Sequence, residues 1–169
     1  MRRLLKNRLL DGEAVMEPVA RQKLQETAGH GQTRLLSLDQ TDLGDRRAGL
    51  MVSLRVGDRS LPLAWIAEEG AANMRFEGQR IVLERGRGWL PAGAEVLGLA
   101  DRFYPSVALF EWLQHNGWPD RLRLKGKLWA DPGAGDETTT GELARGGHKR
   151  YLPGCSCLPK GGDEPGYFA

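Results

Sequence analysis

Apolar and polar residues alternate with a period of two at several places in the first half of the chain. Over 34–43, Leu36 and Leu38 fall on one side, and Leu35, Ser37 and Asp39 on the other. Over 50–56, Leu50, Val52, Leu54 and Val56 share one side. Gly57, Asp58 and Arg59 then make a tight turn into a third stretch, 61–67, so the second and third strands form an antiparallel hairpin. Pro62 suits a strand start or an edge, where its missing N–H costs nothing. The pattern predicts an antiparallel meander of three strands.

The period then lengthens. Phe76, Leu83 and Leu90 recur at seven, with Val82 and Trp89 beside them, and Pro91 and Gly93 follow; this predicts a helix over 76–90. The run 95–100 is almost wholly apolar and predicts a strand covered on both faces. Pro105 opens a second helix through Asn116, with Val107, Phe110 and Leu113 on one side and Gly117 just past its end. Strict alternation over 121–128 predicts a fifth strand carrying Arg121, Arg123, Lys125 and Lys127 on one face. A helix between strands three and four makes the fourth parallel to a neighbour, most economically the first. The expected fold is α/β: one ribonuclease H-like mixed sheet, three antiparallel strands and then helix-crossed parallel strands, incomplete at the C-terminus. Residues 34–130 are its partial core. Residues 1–33 are a peripheral segment, helical near 14–27 with Val15, Val19 and Leu24 as apolar positions, and 131–169 are a turn-rich, mobile tail.

Composition narrows the class. With 169 residues, 40% hydrophobic and 27% charged, one globular domain is expected. No run approaches the ~18 apolar residues of a spanning helix, so no membrane association is expected. Arg2, Arg3, Lys6 and Arg8 make the start basic, but no unbroken apolar stretch or small-residue cleavage site follows. That is not a secretory signal, and a cytoplasmic protein is expected. The net charge of +2 and pI near 8.7 fall short of the pI above about 9 of a dedicated nucleic-acid binder. Cys155 and Cys157 are too few for a disulfide framework, and with His148 they lack the paired spacing of a zinc site.

The chemistry centres on two aspartates. Asp39 lies in an otherwise apolar strand, where a carboxylate needs a partner. Asp101 ends the apolar run 95–100, where α/β sheets place ligands; its plainer role is a turn or helix cap. If strands one and four are neighbours, the two meet. Carboxylates about 4 Å apart repel by ~4 kcal/mol at an effective dielectric near 20. A bound cation or a shared proton relieves that repulsion. All-oxygen ligands select Mg²⁺ or Mn²⁺, and pairs of such ions handle phosphodiesters. Asp42 and Asp45 read as turn residues. The cations from Arg121 to Lys127 read either as a solvated edge or as a phosphate track, with Trp129 able to stack on a base.

Ser37, Asp39, Thr41 and the following Asp42-Leu-Gly-Asp-Arg-Arg47, with Leu99-Ala-Asp101-Arg102-Phe-Tyr104 downstream, resemble the DDE transposases of insertion sequence type four. The Asp-x-Thr pattern falls on Asp39 and Thr41, the Asp-Arg pattern on Asp101 and Arg102, and Leu61-Pro-Leu-Ala-Trp65 fits between them. The resemblance spans roughly residues 34–130. It implies that Asp39 and Asp101 are catalytic and hold Mg²⁺ (or Mn²⁺), that Arg102 meets phosphate or steadies the site, and that the parent activity is DNA strand cleavage and strand transfer. The implied partner is double-stranded DNA at transposon ends, gripped by Arg102, Arg121, Arg123, Lys125 and Lys127. The family's third acid is a Glu on a downstream helix, in a Tyr-x-x-Arg-x-x-x-Glu setting. Glu137, Glu142 and Glu164 lack that setting. The chain therefore reads as a truncated transposase, inactive alone. The alternative is an inactive remnant that binds DNA or pairs with full-length transposase.

Overall fold

Alternating apolar residues build a five-stranded sheet in a computed structural model that describes residues 11–27, 32–42, 44, 47–69, 74–132 and 137–145, with the backbone of 156–158. Strand β1 (Arg34–Asp42) pairs antiparallel with β2 (Arg47–Val56), Leu36 opposite Leu54 and Asp39 opposite Met51. Gly57, at φ 63°, makes the tight turn into β3 (Arg59–Glu69), a backbone geometry that favours glycine. The β2–β3 register shifts between Val52 and Ser53, and the adjacent Leu63 and Ala64 are both buried. Strand β4 (Val96–Ala100) runs parallel to β1, from Arg34 opposite Val96 to Leu38 opposite Ala100. Strand β5 (Asp120–Leu122) runs parallel to β4. The order is β3-β2-β1-β4-β5, a mixed sheet with an antiparallel half and a parallel half.

Three helices pack on it. Helix α1 (Gly12–Glu26) is capped by the Asp11 carboxylate, which accepts from the Glu13 and Ala14 N–H groups. Helix α2 (Phe76–Gly88) crosses from β3 to β4, and α3 (Val107–His115) from β4 to β5, capped by Ser106 on the Leu109 N–H. Glycines let α2 approach closely: a Cβ on Gly86 would sit 3.5 Å from Val52, and one on Gly78 3.2 Å from Ile66. Leu36, Leu38, Leu50, Val52, Leu54 and Val96 are buried beneath α2 and α3 with Val82, Leu83, Leu109 and Leu113. Fully burying each Leu or Val contributes about 1.5–3 kcal/mol. The Trp112 and Trp118 rings meet edge to face at 5.1 Å, closing the core beside β5.

Several expectations need correction. The fifth strand does not reach residue 128: β5 stops at Leu122, and a turn follows in which the Leu128 N–H bonds to the Lys125 carbonyl. Gly126 lies in that turn, and its carbonyl accepts from the Gly141 N–H at 2.7 Å. The cations from Arg121 to Lys127 therefore do not line one strand face. Strand β4 is buried on one face only, since Val96 and Gly98 are covered while Leu97 and Leu99 are half-buried. The buried stripe of α3 is Leu109, Trp112 and Leu113, not Val107, Phe110 and Leu113. In α1, Ala20 and Leu24 are buried, whereas Val15 and Val19 are exposed. Within 131–169, expected to be turn-rich, β7 (Thr138–Thr139) and β8 (Ser156–Leu158) flank β6 (Trp129–Asp131) in a second sheet. A four-residue helix, α4 (Thr140–Leu143), follows β7 behind a capping box of Thr139 and Glu142. The basic start, Asp45, His148, Cys155 and Glu164 lie outside the described residues. No described helix is long and apolar enough to cross a membrane.

Candidate functional site

The parallel β1–β4 pairing assembles the site. Its last partners are Leu38 and Ala100; Asp39 follows Leu38 within β1, which runs on to Asp42, and Asp101 is the first residue after β4. Alternation along β1 turns Asp39 away from the buried side that Leu38 occupies. Each carboxylate accepts one backbone N–H from the following residue: Gln40 to Asp39 at 3.0 Å and Arg102 to Asp101 at 2.7 Å. Asp39 is exposed and Asp101 half-buried, so both keep oxygen lone pairs for a ligand. Asp42, opposite Ala48 on β1, projects to the other face by alternation.

Cations gather around Asp101. Arg123, the first residue after β5, donates its N–H to the Ala100 carbonyl at 3.1 Å, and its guanidinium lies 3.5 Å from the Asp101 carboxylate. Arg102 and Lys125 lie over the Phe103 ring, 5.3 and 5.5 Å from its centroid. Desolvation, with the charges of Lys127 and Arg102, holds the Lys125 ammonium below the usual lysine pKa. Arg121 sits earlier on β5, in register with Leu99, and Lys127 is exposed in the turn that holds Gly126. Arg102, Arg123 and Lys125 thus surround the acidic end of β4, although no single strand carries them. Trp129 is half-buried in β6.

Two residues of the site had no role in the sequence reading. Tyr104 closes the turn after β4, its N–H bonding the Asp101 carbonyl at 3.2 Å, and it is buried at 6% exposure. Burial first, and then the Asp39 charge, push its phenol well above the usual tyrosine range; the Gln40 N–H opposes this and Asp101 adds to it. Tyr104 is therefore a neutral post between the ends of β1 and β4. Phe103 is the reverse case, 47% exposed beside the acids. The signal for both lay in the adjacent pair Phe103-Tyr104: a chain turning just after a strand buries one ring and presents the other.

The donor set fits a hard divalent ion incompletely. Two carboxylates offer oxygen ligands, and Mg²⁺ is commonly held by one or two carboxylates with waters and substrate phosphates completing its shell. Among the described residues, no group of three or more His, Cys, Asp or Glu side chains is placed to share an ion. Glu142 is committed to the Thr138 and Thr139 hydroxyls at 2.7 and 3.3 Å, and Glu137 is exposed just before β7. The chain matches no protein-family model and no curated protein.

Proposed function

We propose that the chain is part of a DDE transposase catalytic domain of insertion sequence type four, a ribonuclease H-like sheet whose parent chemistry is metal-dependent DNA strand cleavage and strand transfer. The observation that supports the reading is the parallel β1–β4 register, whose last pair, Leu38 and Ala100, immediately precedes Asp39 and Asp101 in sequence. Further support comes from the order β3-β2-β1-β4-β5 and from the Asp-x-Thr and Asp-Arg patterns at the two strand ends. Asp39 and Asp101 would hold Mg²⁺ or Mn²⁺, which would polarise a phosphoryl oxygen and favour attack by water or a 3′-hydroxyl. Arg102, Arg123 and Lys125 orient the DNA backbone by phosphate contacts, with Arg121 and Lys127 further along the same path. Two carboxylates do not fix a second ion, and positioning supplies most of the rate in such displacements. The chain alone is therefore expected to bind DNA in a salt-sensitive way and to neither cut nor join it.

The test is Mn²⁺ titration beside an end-cleavage assay and a salt titration of duplex binding. Asp39→Asn and Asp101→Asn should each weaken Mn²⁺ binding by at least the roughly tenfold that losing even a supporting partner of a ligand costs. Removing one phosphate-contacting cation should reduce the salt slope by about one. Mn²⁺ binding indifferent to both aspartates refutes the site. Cleavage that vanishes in Asp101→Ala refutes the incompleteness and shows that another acid completes the site.

A further inference from the structure

The turn after β4 sends a side chain back to β1. The Tyr104 N–H bonds the Asp101 carbonyl at 3.2 Å, so its main chain is fixed to the second acid. Its side chain reaches the first. Tyr104 is buried to 6% exposure, and its phenol oxygen meets the Gln40 N–H of β1. That same N–H donates to Asp39 Oδ1 at 3.0 Å. One donor therefore serves two oxygens, a carboxylate and a phenol. Two acceptors gathered at one N–H repel unless one of them turns a proton toward the other. An ionised aspartate is acceptor-only, whereas a phenol both accepts and donates. Of the two carboxylates that act on the phenol, Asp39 acts more strongly than Asp101. A hydroxyl swings toward such a charge, and an O–H bond to a carboxylate is among the stronger kinds. From this we infer that the Tyr104 hydroxyl donates a hydrogen bond to the Asp39 carboxylate, which makes Tyr104 a positioning residue: its main chain holds Asp101 and its side chain holds Asp39.

The consequence for a ligand rests on the proposed metal site; the bond itself does not. Asp39 is exposed, and a carboxylate in that setting turns freely unless its neighbours hold it. The Gln40 N–H and the Tyr104 O–H together fix its orientation. Gln40 is anchored in turn, since its Oε1 accepts the Met74 N–H at 3.0 Å. An ionised carboxylate has about four lone-pair sites, so two such bonds leave others for an ion.

The experiment uses Tyr104→Phe in the full chain, which keeps the buried ring and removes one oxygen. In EDTA, the ¹³C resonance of the Asp39 carboxylate should shift in this variant. An unmoved resonance overturns the bond. In a Mn²⁺ titration read by electron paramagnetic resonance, Tyr104→Phe should weaken binding about tenfold, the scale of losing a ligand's supporting partner. In the Asp39→Asn background the same change should add less than about twofold, because the phenol acts through that carboxylate. An equal loss in both backgrounds overturns the positioning role. So does a lowered melting temperature with Mn²⁺ affinity unmoved, which is the mark of a purely structural tyrosine. Mn²⁺ that fails to bind the parent chain, or binds regardless of both aspartates, sinks the metal reading. The Asp39 resonance then decides the Tyr104–Asp39 bond by itself.

Discussion

The tie between α2 and α3 yields a pH-dependent stability with a definite sign. The Trp112 indole N–H donates to Glu84 Oε1 at 2.9 Å, joining the helix before β4 to the helix after it. That hydrogen bond is the main reason the Glu84 carboxyl lies below the usual glutamate range, with Arg87 contributing at 3.0 Å and desolvation opposing. A folded-state value below the unfolded one means stability fully present above the unfolded pKa and lost as pH falls through the folded one. A hydrogen bond to a charged group is worth about 1.5–3 kcal/mol. The Glu84 side chain is 42% exposed, so solvent screening reduces this to about 1 kcal/mol. The perturbation is the double-mutant cycle of Trp112→Phe and Glu84→Gln, read by urea unfolding followed by circular dichroism. The cycle cancels the packing that Trp112→Phe loses against Trp118. Coupling should be about 1 kcal/mol at pH 7 and shrink as acid takes the pH below the usual carboxylate range and Glu84 takes up a proton. Coupling below about 0.3 kcal/mol at pH 7, within the additivity error, refutes the reasoning. So does coupling that grows on acidification, because that would place the stronger bond on the protonated carboxyl.

Two further predictions concern packing. Leu109, on the buried face of α3, is 2% exposed, and Leu109→Ala should cost about 2–5 kcal/mol in urea unfolding, with less than about 1 kcal/mol marking α3 as loosely docked. Gly141→Ala would place a Cβ 2.7 Å from the Gly126 carbonyl oxygen; the expected loss is about 1–3 kcal/mol, read as faster exchange of the Thr140 N–H, and unchanged exchange would disprove the close approach.

The main sheet was legible because its code is a period. Leu36 and Leu38 on β1, and Leu50, Val52 and Leu54 on β2, announce a face in the plainest form a strand can, and the structure buries those five. The parallel pairing of β4 with β1 also followed, from the helix between them rather than from any residue in either strand. Periodicity failed past Leu122, where β5 ends. The alternation from Arg121 to Lys127 is as regular as that of β2, yet Gly126 meets Gly141 backbone to backbone and the chain turns. Charges on alternate positions carry no burial energy, so nothing held that pattern flat. The apolar run at β4 misled for a related reason. Hydrophobicity alone says that a strand prefers cover, and it does not count the helices present to supply it. The described helices leave Leu97 and Leu99 half-buried.

The site divides along the same line. What the sequence placed was the strand register next to the two aspartates: strands carry register over long separations, and Leu38 lies opposite Ala100. The surrounding groups follow turns, whose geometry no period encodes. Arg123 reaches Asp101 because β5 ends one residue earlier, and Lys125 reaches Phe103 because the chain bends back toward Gly126 instead of running on. The early end of the strand that defeated the expected cation row is therefore what brings Arg123 to Asp101 and Lys125 to Phe103. An intact strand to residue 128 would have carried Lys125 and Lys127 about 3.3 Å per residue further past the end of β4, away from Asp101.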